Sequence, residues 1–154
     1  MHGKRLRQIV FLSSIVTDQA SKLAADKWLM HLGSLDVTGF FALTYAENTG
    51  ISFGMLQGVD NRLLLALNAL LTTALYAYWK RIERTGAPAL ESWSLSLICA
   101  GACGNIIDRI LRGAVVDFLD FKFWPIFNLA DSVITVGAIL YLAGTLTHRK
   151  HDAA

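Results

Sequence analysis

Residues 133–146 carry no charge and begin two residues after Asp131. With its flanks, the stretch extends over 123–147 and contains only Asn128 and Asp131 as strongly polar groups. A helix needs roughly 20 mostly apolar residues to cross a bilayer. Three other stretches compete for the same role: 6–30, 63–80 and 90–108. Of the 154 residues, 54% are hydrophobic and 17% are charged. Soluble domains carry about 25% charged residues. The deficit and the four segments together predict an all-α membrane protein, a four-transmembrane-helix bundle formed by one domain over 1–154.

The first segment follows Lys4, Arg5 and Arg7, as a signal peptide would, and the small residues 21–25 imitate a cleavage site. Asp18 and Lys22 interrupt it and further apolar segments follow, so an uncleaved first helix is the better reading. Lys80, Arg81 and Arg84 lie between segments two and three. Arg149 and Lys150 follow segment four. The positive-inside rule places all of these groups, and both termini, in the cytoplasm. Residues of about 31–62 and 108–125 then face the outside, and Asp117 and Asp131 lie at that face. Trp28, Trp79, Trp93 and Trp124 fall near the expected helix ends, where interfacial anchors belong. The outer stretch 37–56 is rich in β-formers on both sides of Asn48-Thr49-Gly50. This predicts a small extracytoplasmic β-containing segment, a hairpin or sheet around that tripeptide.

The polar residues in apolar surroundings carry the functional signal. Asp18 and Lys22 are four apart, share a helix face and can pair. The pair reads equally well as packing support for helix one and as support for a site. Asn105, Asp108 and Arg109 form a polar patch at the outer end of helix three. There Asp108 and Arg109 serve either as cap and interfacial charge or in a direct role. Asn128 lies three before Asp131, so its amide can share that face and bond a carboxylate or a peptide group. An extended chain at Asp117 turns Asp117 and Phe118 to opposite sides. Asp120 is acidic and lies between aromatics, but it reads as a solvated neighbour. A charge beside hydrocarbon is costly and is by default a functional candidate. Two neighbouring carboxyls in a poor dielectric share a proton.

Several function classes are excluded. A net charge of +2 without a basic tract gives no nucleic-acid surface. No Gly-rich phosphate loop or Gly-x-Ser-x-Gly elbow occurs. Cys99 and Cys103, four apart in an apolar run, read as small buried hydrophobes. A coupled transporter, a membrane scaffold and a small-molecule membrane enzyme remain compatible with the residues alone. Against the transporter, the polar groups gather at one membrane face and no broken-helix repeat is present. A scaffold leaves Asp131 without a purpose.

Four motifs in order bring a family into view. They are Asp18-x-x-x-Lys22, Asn48-Thr49-Gly50-Ile51-Ser52-Phe53-Gly54, Gly104-Asn105-x-x-Asp108-Arg109-x-x-x-Gly113-x-Val115-x-Asp117-Phe118, and Phe127-Asn128-x-Ala130-Asp131-Ser132. Over nearly its whole length the chain resembles lipoprotein signal peptidase (signal peptidase II), the bacterial membrane aspartyl proteases. Ile51-Ser52 departs from the small alanines more usual there. The resemblance implies that Asp117 and Asp131 are a catalytic dyad, surrounded by Asn105, Arg109 and Asn128. Asp18, Lys22, Asn48, Gly50 and Asp108 would support the site or the substrate. It implies a prolipoprotein substrate, cleaved before a diacylglyceryl-modified cysteine in the bacterial inner membrane. It also implies contact with membrane lipid, inhibition by globomycin-type peptides, and no metal or other cofactor. The hydrocarbon around Asp131 favours it as the protonated partner.

Overall fold

The computed structural model describes residues 2–50, 60–86 and 88–152. The elements in order are α1 (His2–Leu32), β1 (Ser34–Thr38), β2 (Phe41–Asn48), α2 (Asn61–Thr85), α3 (Ala89–Leu111), β3 (Val115–Asp120) and α4 (Leu129–Asp152). α3 is the central helix, against which α1, α2 and α4 all pack. The strands form one antiparallel sheet in the order β1-β2-β3.

Local chemistry sets most boundaries. The Asp60 carboxylate accepts the Arg62 N–H at 2.8 Å and starts α2. Gly86, in the left-handed conformation at φ 76°, ends it by donating to the Ile82 carbonyl. Pro88 stands directly before α3, where a missing N–H costs no helical bond. α4 begins at Leu129, six residues later than the expected start at 123. Pro125 lacks an N–H, and Phe127 instead pairs with Leu119 beside β3. The β-containing segment is a sheet, with a hairpin turning at Gly39-Phe40 between β1 and β2. Residues 51–56, expected as the β-rich stretch after Asn48-Thr49-Gly50, lie outside the described residues.

Burial is inverted relative to a soluble bundle. Asp18, Lys22, Asp108 and Asn128 are at most 1% exposed, whereas Leu12, Val16, Leu70 and Leu71 are 61–67% exposed. Ile9, Leu12, Val16 and Leu23 place an apolar stripe on the outside of α1. Val136, Ile139, Leu142 and Leu146 do so on α4. Such surfaces suit hydrocarbon and not water. α3 and residues 129–147 of α4 are long and apolar enough to cross a membrane. α1 and α2 are as long but carry more polar residues.

Two apolar clusters brace the bundle. Ala25 and Leu29 of α1 meet Val116 and Phe118 of β3, which fixes the sheet on the end of α1. Trp79 and Ile82 of α2 meet Leu95 and Cys99 of α3 at the opposite end. Trp79 is therefore buried, not an interfacial anchor, because α2 continues to Thr85. Trp28 and Trp124 are exposed, as anchors require.

α3 and α4 approach through glycines. A Cβ on Gly101 would collide with the Ala130 carbonyl oxygen, and one on Gly104 would stand 2.5 Å from the Asp18 carboxylate. Small residues let apolar helices pack backbone to backbone where no hydrophobic force draws them together. Gly101→Ala should destabilise the protein by about 1–3 kcal/mol. Gly39→Ala, with open space around it, should change stability by less than about 0.5 kcal/mol. Thermal unfolding in detergent measures both. Equal melting temperatures for the two variants would contradict the glycine-mediated approach.

Candidate active site

Asp117 sits in the middle of β3, where alternation decides its surroundings. Val116 and Phe118 turn into the apolar cluster under the sheet, and Asp117 turns the other way. At the end of β2, the Asn48 amide donates to Asp117 Oδ2 at 3.0 Å. The Asn128 amide donates to Asp117 Oδ1 at 2.7 Å. Asp117 is 3% exposed.

Asp131 is placed by the start of α4. The Asn128 Oδ1 accepts the Asp131 N–H at 2.9 Å, as a helix N-cap does. In return Asp131 Oδ2 faces the Asn128 N–H at 3.4 Å. This is the reciprocal geometry of a capping box, with aspartate in place of the usual glutamate. One asparagine thus caps the helix bearing Asp131 and bonds Asp117. The spacing of three residues seen in the sequence has this structural cause.

The third wall comes from α3. Asn105 donates to Asp131 Oδ1 at 2.8 Å. Its own Oδ1 accepts from Lys22 Nζ at 2.9 Å and from the Asn128 amide at 3.2 Å. Lys22 therefore fixes which end of the Asn105 amide faces Asp131. Lys22 also pairs with Asp18 and Asp108, each at 2.9 Å. Asp18 Oδ1 accepts the Ala130 N–H at 2.9 Å, in the first turn of α4. Asp18, Lys22 and Asp108 lie one layer behind the acid pair and reach it through Asn105 and α4.

Arg109 does not hold Asp108. Its guanidinium donates to the Gly50 carbonyl at 2.6 Å, and Gly50 N–H donates to Asn48 Oδ1 at 3.0 Å. Asp108 is held by Lys22, by Arg112 at 2.6 Å and by the Val116 N–H at 3.1 Å. Asp120 faces away from the acid pair. It accepts from Thr44 at 2.9 Å and from the Lys122 N–H at 2.7 Å, which shapes the turn after β3.

Sequence reasoning missed Gln19, Arg112 and Asp26. The Gln19 amide donates to the Gly104 carbonyl at 3.0 Å and to Asp108 at 3.1 Å. Arg112 bridges Asp108 and Asp26. Two of these carried a signal. Arg112 is four residues after Asp108, and Asp26 extends the Asp18–Lys22 stripe by one further turn. Gln19 carried none, because only the packing of α1 on α3 brings it to Gly104.

The pair opens onto a cavity of about 670 Å³. Asn48, Asn105, Arg109, Asp117 and Asp131 form its polar end, and Ala102, Ile134, Val136, Phe121 and the segment 123–127 its mainly apolar remainder. Burial raises the Asp117 carboxyl to about 7, with the negative charge of Asp131 as the next cause. The Asn48 and Asn128 amides and the Lys22 ammonium oppose this without reversing it. A buried carboxyl protonated near neutral pH, next to a second carboxyl, suits paired acid–base chemistry.

The chain is similar to known proteins in sequence and in fold. Residues 10–147 match the family described as signal peptidase (SPase) II. A lipoprotein signal peptidase of Caldanaerobacter subterraneus subsp. tengcongensis is 44% identical over 135 residues, covering 86% of this chain and 90% of that protein. Another, from Burkholderia thailandensis, is 42% identical over 137 residues, covering 86% and 82%. A bacterial membrane enzyme solved by the in meso method at 2.3 Å superposes with a TM-score of 0.81 and 29% identity, covering 95% of this chain and 90% of that one. A second, at 1.9 Å, gives a TM-score of 0.76 and 30% identity, with 92% of each chain covered. Sequence, fold and site converge, and the chain belongs to the signal peptidase II family of membrane peptidases.

Proposed function

We propose that this chain is an aspartyl endopeptidase that cleaves the signal peptide from diacylglyceryl-modified prolipoproteins, on the N-terminal side of the modified cysteine. The observation that carries the reading is the acid pair itself. Asp117 and Asp131 come from separate elements and are joined through the one amide of Asn128, at the polar end of a cavity with apolar walls. The alternatives of transporter and scaffold leave that arrangement without a use.

All four helices cross the membrane in this reading. The exposed apolar stripes of α1 and α2, with Asp18 and Lys22 turned inward, support this for the two less apolar helices. Both termini lie in the cytoplasm, on the side with most basic residues, and the acid pair lies at the outer face. The substrate's signal helix enters from the lipid, and the mainly apolar part of the cavity receives its acyl chains. A globomycin-type peptide would occupy the same space.

The chemistry follows from the two carboxyls. Water is a poor nucleophile and an amide a poor electrophile. An ionised carboxylate takes a proton from water as it attacks the scissile carbonyl. The protonated partner donates to the carbonyl oxygen and then to the leaving nitrogen. The surroundings support Asp117 as the proton carrier, the reverse of the assignment favoured by hydrocarbon content alone. Asp131 sits in the first turn of α4, where the helix N-terminus and the Asn105 amide stabilise negative charge. Close carboxyls titrate as a unit, so the pair holds one proton between them.

Asp117→Asn and Asp131→Asn should each lower cleavage of a lipid-modified precursor in detergent by at least about 10²-fold. Asp120→Asn should remain within about twofold of wild type. A folded Asp117 or Asp131 variant with wild-type turnover would remove the dyad from the mechanism.

The raised affinity of Asp117 for its proton sets the pH dependence. Below about 7 Asp117 stays protonated, and above it the pair loses its remaining proton. Cleavage should therefore decline above about pH 7, and a rate that is flat to about pH 9 would exclude Asp117 as the acid. Stability moves in the same direction. The carboxyl titrates near 3.9 in the unfolded chain. Its contribution is complete below about pH 4 and is lost as pH rises to about 7. The melting temperature of wild type should fall more across that interval than that of Asp117→Asn.

A further inference from the structure

Thr135 and Asn68 are polar side chains of the cavity wall that the chemistry above does not use. Thr135 lies four residues after Asp131 on α4, and Asn68 is the residue of α2 that reaches the wall. One helical turn puts Thr135 about 6 Å deeper than Asp131, toward the membrane interior. Among the described residues, the hydroxyls of Ser94, Ser132, Thr145 and Thr147 bond carbonyls three or four positions back in their own helices. That is the usual way a hydroxyl is satisfied in an apolar setting. Among the same residues Thr135 makes no such bond and is exposed at the cavity. Asn68 donates to the Leu64 carbonyl at 3.0 Å, and its Oδ1 has no donor among the described residues.

The two helices that carry these groups are joined farther along from the acid pair. Tyr78 of α2 and Tyr141 of α4 share a hydroxyl–hydroxyl bond of 3.2 Å. Toward the outer face the cavity lies between them, backed by α3. A peptide entering there would meet the acid pair at the polar end.

A peptide needs such groups at this depth. A signal helix can cross the bilayer because its backbone groups bond within the helix. Cleavage requires an extended scissile bond, so the helix must end before it. Its last four carbonyls then lose their partners, as do the N–H groups of the extended residues. In hydrocarbon each such group is costly unless protein replaces the bond. At about 3.3 Å per extended residue, 6 Å below Asp131 corresponds to about the second residue before the cleaved bond.

We infer that Thr135 and Asn68 position the substrate by bonding its unwound backbone: the Thr135 hydroxyl donates to a carbonyl at the end of the signal helix, and Asn68 Oδ1 accepts an N–H of the extended segment. The inference rests on the peptidase reading. It makes both residues positioning groups, and it explains how a transmembrane helix is opened for cleavage inside the protein's own wall.

The test compares Thr135→Val, Thr135→Ser, Asn68→Leu and wild type on one lipid-modified precursor, with KM, kcat and melting temperature measured for each. A neutral hydrogen bond lost to a bound peptide corresponds to about a two- to tenfold effect. Thr135→Val and Asn68→Leu should each raise KM by that factor, with melting temperatures unchanged, and Thr135→Ser should recover wild-type KM. Wild-type KM in both Thr135→Val and Asn68→Leu overturns the inference. So does a Thr135→Ser variant as impaired as Thr135→Val, because the hydroxyl is then not the active feature. If wild type itself leaves the precursor uncut, the peptidase reading fails first, a result distinct from either variant outcome.

Discussion

The buried Lys22 ammonium is the interaction on which the remaining structure depends. It has three donors, and they meet Asp18, Asp108 and Asn105 at 2.9 Å each. An ammonium with no exposed surface is tolerated only with its full set of partners. Those partners lie on α1 and α3, so the requirement locks the two helices in one register. Asp18 then captures an N–H at the start of α4, and Asp108 captures an N–H of β3. The two elements that bear the acid pair are thus anchored on the same charge cluster. Removing one partner would leave a buried charge unpaired, a loss of about 3–5 kcal/mol in comparable networks.

This core explains why the site can hold two carboxyls near the hydrocarbon boundary. Neither acid is solvated by bulk water alone. Asp117 is met by two asparagine amides, and Asp131 by a third amide and the first turn of a helix. All three asparagines are oriented by other bonds. Lys22 sets Asn105, the α4 N–H sets Asn128, and the Gly50 N–H sets Asn48. Amide side chains supply donors without adding charge, so the pair keeps its tendency to share one proton. Arg109, bound to the Gly50 carbonyl, ties the end of β2 to α3 at the same place.

The inverted burial pattern and the glycine contacts belong to one logic. In lipid, apolar side chains gain little from turning inward, so polar groups and close backbone contacts hold the bundle. The leucines are left outside, and Gly101, Gly104 and Gly137 bring α4 and Asp18 onto α3.

Much of this was legible in the residues. The apolar segments, the i,i+4 spacing of Asp18 and Lys22, the three-residue step from Asn128 to Asp131 and the ordered motifs already marked the helices and most of the residues that gather around the acid pair. These are local features, set by helical period and by the cost of charge in hydrocarbon. Other features were decided only in three dimensions. The start of α4 moved to Leu129 because Phe127 found a partner beside β3. Arg109 chose Gly50 over its neighbour Asp108, and Arg112 took Asp108 instead. The Asp117 carboxyl is raised because burial and the charge of Asp131 act across space. The sequence by itself determined which groups are too costly to stand unpaired in a membrane; only the tertiary structure decided their partners, because a hydrogen bond depends on distance and direction between elements far apart in the chain.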